Sequence, residues 1–217
     1  MILPAFAFAD EPAKTGPERF AKDIAAFDTR EAKAKSPEGA ILFVGSSTIR
    51  LWDVKASWPG EKVINNGFGG STLPDSIHFF ERLVPPYKPR AIVVYAGDND
   101  IGKGRSAEEV TADFNTLAGL AKESLPGVPL VYIAIKPSIK RWKLWPQMKA
   151  ANEAIAAICE AEEDLYFADI VSPMLEAADT APRAEWFKVD GLHLSPMGYE
   201  RWTEVVNGVL REAGVVE

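Results

Sequence analysis

The chain has 217 residues, 47% apolar and 25% charged, a globular balance that excludes disordered, collagenous and fibrous classes. With 24 Lys+Arg against 31 Asp+Glu its formal charge is −7, and the lack of any basic block argues against nucleic acid as a partner. A single cysteine (Cys159) excludes an internal disulfide framework and a cysteine-based zinc site, two histidines (His78 and His193) leave little for a histidine metal centre, and no apolar run reaches the ~20 residues of a membrane helix.

Residues 1–9, MILPAFAFA, are apolar and end in Ala7-Phe8-Ala9, the small-x-small pattern of a signal-peptidase site, without a positive region before them. If they close an export signal the protein is periplasmic or secreted; otherwise it is cytoplasmic. Residues 1–16 are set aside as a flexible segment, and 17–217 are expected to form one domain.

Phe20, Ile24 and Phe27 recur at helical spacing and predict a helix from Pro17 to about Lys35. Ala40–Val44 (AILFV) is a short apolar run closed by Gly45, as expected of a strand buried on both faces. Lys62–Asn66 (KVINN) is a weaker strand candidate before the glycine-rich turn of Gly67, Gly69 and Gly70. Ala91–Tyr95 (AIVVY), Leu130–Ile135 (LVYIAI) and Leu165–Ile170 (LYFADI) complete five strands. Ser106 and Glu109 form a capping box for a helix whose stripe is Val110, Phe114 and Leu117. An alanine-rich helix is expected over Lys149–Ala161, and Ser195-Pro196 opens a last helix with Tyr199, Trp202, Val206 and Val209 inward. Alternating strands and helices imply right-handed crossovers and a mainly parallel sheet covered on both faces.

In such sheets ligands bind beyond the carboxyl ends of the strands. The chemistry-bearing clusters fall there: Gly45-Ser46-Ser47-Thr48 after the first strand, Gly67-Phe68-Gly69-Gly70-Ser71-Thr72 after the second, and Gly97-Asp98-Asn99-Asp100 after the third. Asp190-Gly191-Leu192-His193 stands near the end of the chain. A hydroxyl on a turn, amides exposed by glycine, a carboxamide and an Asp–His pair are the components of acyl transfer. Each cluster has a plainer reading: a turn at Ser46-Ser47, a tight bend at Gly67–Gly70, a solvated turn at Asp98–Asp100, a structural histidine at His193. The glycine spacing matches neither G-x-G-x-x-G nor G-x-x-x-x-G-K-[ST], which removes support for nucleotide phosphate binding. The four clusters in this order, each at a strand end or in a loop, are hard to reconcile with chance.

This combination resembles the SGNH (GDSL-type) hydrolase family over about Ala40–Trp202. Gly45-Ser46-Ser47-Thr48 departs from the Gly-Asp-Ser-Leu form of the first block, with Ser46 and Thr48 in place of Asp and Leu, and aligns the nucleophile with Ser47; Ser46 is the other candidate. The resemblance implies a flavodoxin-like three-layer α/β/α sandwich with a five-stranded parallel sheet and helices on both faces. It implies catalytic Ser47, Asp190 and His193, with an oxyanion hole made by the backbone N–H groups of Ser47 and Gly70 and by the Asn99 side chain. It implies an acyl-enzyme and no metal or organic cofactor. The absence of G-x-S-x-G at Ser47 separates it from the α/β-hydrolases.

The expected activity is hydrolysis of a small or short-acyl ester, O-acetylated carbohydrate being one candidate; lysophospholipase or thioesterase activity is the nearest rival. A non-catalytic binding module and a metal-dependent phosphohydrolase using Asp98, Asp100, Asp190 and His193 are alternatives of other classes. Lys136, Lys140, Arg141 and Lys143 surround Trp142 and Trp145, read either as a lid over the site or, preferably, as a solvated basic face with both Trp rings on the core. Trp52 and Trp58 are expected to pack, His78 to be structural, and Cys159 to be a small buried hydrophobe.

Overall fold

The structure, a computed structural model, describes residues 16–177 and 180–217. The readings of the N-terminal segment as flexible or as a signal remnant fall on residues 1–15, outside the described residues.

The five apolar runs form one parallel sheet in the order β2-β1-β3-β4-β5: β1 Ile41–Gly45, β2 Val63–Gly67, β3 Ala91–Tyr95, β4 Leu130–Ile133 and β5 Leu165–Ala168. Helix α1 Ala21–Lys33 precedes the first strand; α2 Ser47–Arg50, α3 Val54–Ser57, α4 Leu73–His78, α5 Phe80–Leu83, α6 Asp98–Gly102, α7 Ala107–Ser124 and α8 Trp145–Ala161 lie in the connections; and α9 Pro196–Glu212 follows the last strand. This is the flavodoxin-like sandwich implied by the resemblance.

Alternate residues of each strand point to opposite faces. Leu42, Val44, Ile92, Val94, Leu130 and Tyr132 meet α1, α4, α5, α7 and α8 on one side. Ile41, Phe43, Val93, Tyr95, Val131 and Ile133 meet α9 and the α2–α3 segment on the other. This second face carries an aromatic cluster. Trp52 and Trp58 pack on Phe43 with centroids 5.6 and 5.0 Å away, and Trp202 of α9 packs on Tyr95 at 4.9 Å. Both tryptophans of the α2–α3 segment are therefore core residues.

The predicted caps form. Ser106 accepts from the Glu109 N–H and Glu109 from the Ser106 N–H, and the Ser195 hydroxyl accepts from Gly198 N at the start of α9. Two strands are shorter than the apolar runs that encode them. At Ile135 the Asn152 carboxamide of α8 accepts from the backbone N–H at 2.7 Å and donates to the C=O at 2.9 Å, supplanting a strand partner. After Ala168 the Asp169 carboxylate accepts from the N–H groups of Val171 and Ser172 and turns the chain. The eighth helix begins at Trp145 instead of Lys149, with Pro146 in its first turn.

Chain order places a topological switch between β1 and β3, since β2 lies on one side of β1 and β3 on the other. A crevice opens beyond the carboxyl ends of those two strands. Gly45, the last residue of β1, has φ +142°, and a Cβ there would fall onto the Tyr95 carbonyl of β3. Gly45→Ala should therefore destabilise the fold by about 3 kcal/mol, lowering Tm by roughly 6–12 °C in a thermal melt; an unchanged Tm would contradict this packing.

Candidate active site

Immediately after β1, the Ser46 N–H donates to the Tyr95 carbonyl at 3.1 Å, extending the ladder by one residue. The backbone then coils into α2, so Ser47 occupies the first helical turn, where its N–H has no intrahelical acceptor. The Ser46 side chain is buried and its hydroxyl has no hydrogen-bond partner among the described residues. Ser47 is partly exposed, and its Oγ lies 3.0 Å from His193 Nε2. Of the two serines, only Ser47 meets the histidine.

The histidine reaches this position on the turn before α9. Phe187 and Leu194 form an isolated antiparallel bridge, and Lys188 N–H donates to the His193 carbonyl at 2.8 Å. Within the loop Asp190 Oδ1 accepts from the N–H groups of Leu192 and His193, each at 2.9 Å, while Oδ2 lies 2.5 Å from His193 Nδ1. The bond to His193 and then these two backbone donors hold the Asp190 carboxyl far below the usual carboxylate range. An ionised carboxylate at Nδ1 fixes the tautomer that leaves Nε2 free to accept from the Ser47 hydroxyl.

Beyond β2 the chain turns through Gly67–Ser71. Gly70 is exposed with φ +81°, a conformation that glycine adopts without strain. Beyond β3, Gly97 (φ +107°) starts α6, and Asp98, Asn99 and Asp100 are all buried. The reading of these three residues as a solvated turn is therefore wrong: their carbonyls and side chains hold neighbouring loops together. Asp100 Oδ2 accepts from Gly97 N at 3.1 Å and Oδ1 from Leu73 N at 3.0 Å. Asn99 Nδ2 donates to the Ser71 carbonyl at 2.9 Å, and its Oδ1 accepts from Arg141 Nη2 at 2.9 Å. The carboxamide thus sits against the turn that carries Gly70.

Behind these turns lies an ion cluster that sequence reasoning missed. Lys136, expected from the sequence on a solvated basic face, is 1% exposed. Its ammonium donates to Asp98 Oδ2 (2.9 Å), Tyr95 OH (2.8 Å) and Thr48 Oγ1 (3.3 Å), which uses all three of its donors. Arg141 Nη1 approaches the Asp98 carbonyl at 2.9 Å and Asp98 Oδ2 at 3.1 Å. Burial alone would push the Asp98 carboxyl up; the Lys136 and Arg141 cations reverse this and hold it below its ordinary value. Burial likewise lowers Lys136, with the Asp98 carboxylate opposing. The available signal was a lysine directly after the buried run Leu130–Ile135, where a charge needs a partner. Lys140 and Lys143 are exposed as the basic-face reading expected, and Trp142 and Trp145 stack on each other, with Trp145 buried.

The carboxylates of the metal reading are engaged elsewhere: Asp98 Oδ2 by two cations, Asp100 by two backbone N–H groups and Asp190 by His193, and no cluster of three metal-binding side chains occurs among the described residues. His78 is exposed, edge-on to Phe79 at 4.6 Å. Cys159 is buried, its thiol pushed up to about 12.

The sequence model of the GDSL-like Lipase/Acylhydrolase family matches residues 45–201. No curated protein matches the chain. Among solved structures, a Streptococcus pneumonia protein provisionally described as a platelet activating factor superposes with a TM-score of 0.79 at 18% identity, over 89% of this chain and 93% of that one. A GDSL-like lipase from Bacteroides thetaiotaomicron gives 0.75 at 19% identity, over 88% and 98%. A mutant of an acetyl-xylooligosaccharide esterase from Geobacillus gives 0.64 at 18%, over 83% and 96%. At these identities the likeness speaks for the fold.

Two predictions test the buried charges. Asp100 ionises at about 6 in the fold against an ordinary 3.8, because burial disfavours its charge. Between those values the folded state holds a proton that the unfolded chain has released. The group's contribution to stability is complete below about pH 4 and is lost as pH rises through about 6, an effect of roughly 3 kcal/mol. The stability difference between wild type and Asp100→Asn should change by that amount between pH 4 and 7 in urea titrations; a flat difference would rule it out. Lys136→Met, which leaves Asp98 undercompensated, should cost about 3 kcal/mol, and the double variant Lys136→Met/Asp98→Asn should cost clearly less than the sum of the two single changes.

Proposed function

The chain belongs to the GDSL-like lipase/acylhydrolase family and is an ester hydrolase, and on that premise we propose that Ser47 is its nucleophile, His193 its general base and acid, and Asp190 the carboxylate that orients the imidazole. The observation that carries this is the continuous relay from Ser47 Oγ through His193 Nε2 (3.0 Å) and Nδ1 to Asp190 (2.5 Å). Ser47 Oγ attacks the ester carbonyl carbon while its proton passes to Nε2. The carbonyl π electrons move onto oxygen, which is received by the N–H groups of Ser47 and Gly70 and by one N–H of Asn99. Collapse breaks the bond to the alcohol, which takes the proton from Nε2 and leaves an acyl-serine. Water, deprotonated by the same nitrogen, then releases the acid. No step calls on a metal or an organic cofactor.

The proposed substrate is a small or short-acyl ester, such as an O-acetylated carbohydrate. The shallow setting supports it: Gly70 is exposed, and Ile139 and Val189, which adjoin the Asp190–His193 turn, stand at the surface. The Geobacillus relative is described as an acetyl-xylooligosaccharide esterase, which suits the same reading. The second reading is a longer acyl chain handled by lysophospholipase or thioesterase activity, for which the exposed Leu51, four positions after Ser47, offers apolar surface.

Hydrolysis of p-nitrophenyl acetate, butyrate and octanoate tests both. Ser47→Ala should abolish turnover on every ester, Asn99→Ala should lower kcat on the order of 10²–10³, and EDTA should have no effect. A fluorophosphonate should label Ser47, located by peptide mass. Label on Ser46, or full activity in Ser47→Ala, would assign the nucleophile elsewhere, and a preference for octanoate would select the longer-chain reading.

A further inference from the structure

Asn99 has one acceptor and two donors on its carboxamide. One N–H is consumed by the Ser71 carbonyl, so only the second remains for an oxyanion. Whether that N–H faces the reacting carbon depends on which way the amide is turned, because oxygen and nitrogen differ little in size and exchange by a flip. Turned the other way, the carboxamide would present an oxygen lone pair to a developing negative charge.

The guanidinium of Arg141 faces this amide. It carries donors only, and Nη2 bonds Asn99 Oδ1 at 2.9 Å; it cannot accept from an NH₂ group, so it and the Ser71 carbonyl, which can only accept, favour the same orientation of the amide from opposite ends. The guanidinium is itself immobilised. Nη1 is shared between the Asp98 carbonyl and carboxylate oxygen Oδ2, and the same Oδ2 also accepts from Lys136, which bonds the hydroxyl of Thr48, the residue after Ser47. A chain of contacts therefore runs from the nucleophile turn to the carboxamide: Thr48, Lys136, Asp98, Arg141, Asn99. A cation on the amide oxygen also polarises the amide and strengthens its remaining N–H as a donor.

We propose that Arg141 is a positioning residue for ester hydrolysis, locking and polarising the Asn99 carboxamide so that its free N–H points at the oxyanion. This rests on the assignment of Asn99 as an oxyanion donor. Because the guanidinium acts on a donor that binds more tightly as charge develops, its loss should fall on kcat and leave KM nearly unchanged.

The test is a double-mutant cycle on p-nitrophenyl acetate with wild type, Arg141→Met, Asn99→Ala and the double variant, each checked for a native thermal transition. Arg141→Met should lower kcat by tenfold or more with KM within about twofold. In the Asn99→Ala background the same change should cost less than about twofold, since there is no amide left to orient. Arg141→Lys, which keeps a donor-only cation, should recover part of the loss and also serves if Arg141→Met fails to fold. A full, additive loss in the Asn99→Ala background, or a rise in KM with kcat intact, would overturn the proposal. If Asn99→Ala itself retains wild-type kcat, the oxyanion assignment fails, which is a different result from Arg141→Met retaining it while Asn99→Ala does not.

Discussion

A carboxylate buried at the carboxyl end of the central strand β3 must be neutralised, and the arrangement of the site follows from how that is done. Asp98 is withdrawn from water, where an isolated charge would be strongly disfavoured. Lys136 and Arg141 supply the compensating charge from the segment that leaves β4. Each cation has donors left over after meeting Asp98, and these are spent on Thr48 beside the proposed nucleophile and on the Asn99 amide. Neutralising one buried charge thereby ties the strand ends β1, β3 and β4 into a common frame. Buried, paired polar groups are stiffer than solvated ones, which suits a site whose proposed donors must already be aimed when charge develops.

The second frame is made of backbone. Gly45 lets β1 lie against the Tyr95 carbonyl, and Asp100 accepts N–H groups from the turn after β3 and from the start of α4. The glycine turn and the carboxamide turn are thus pinned to each other by a carboxylate that takes no part in the proposed reaction. The last helix braces the Ser47 turn from the opposite side: Tyr199 donates to the Thr48 carbonyl at 2.8 Å and packs on Trp52, whose indole meets Trp202. Removing the aromatic cluster would therefore loosen the short helix α2 as well as the core.

The active-site loop before α9 is comparatively self-contained. Asp190 organises the turn with its own carboxylate and holds His193 through the ring and the backbone of the same four residues. A local motif of this kind forms from neighbours in sequence, which is why an Asp and a His three apart could be read directly. Arg141 and Asn99 are 42 positions apart, and nothing in the spacing of either announces the other.

The sequence by itself determined the layered parallel sheet, because five apolar runs separated by helical patterns, the first three followed by glycine, admit few other arrangements. It also determined the four polar clusters, since turns at the carboxyl ends of buried strands are where such residues collect. It misjudged the ends of β4 and β5, where the side chains of Asn152 and Asp169 take over backbone bonds. The family resemblance aligned the nucleophile with Ser47 and kept Ser46 as the other candidate; only the tertiary structure sets a histidine nitrogen from 146 positions away beside the Ser47 hydroxyl. Only the tertiary structure took Lys136 off the surface and set Arg141 against Asn99. Burial and pairing of a charge are properties of what surrounds it in space, and that environment comes from strands and loops far apart in the chain.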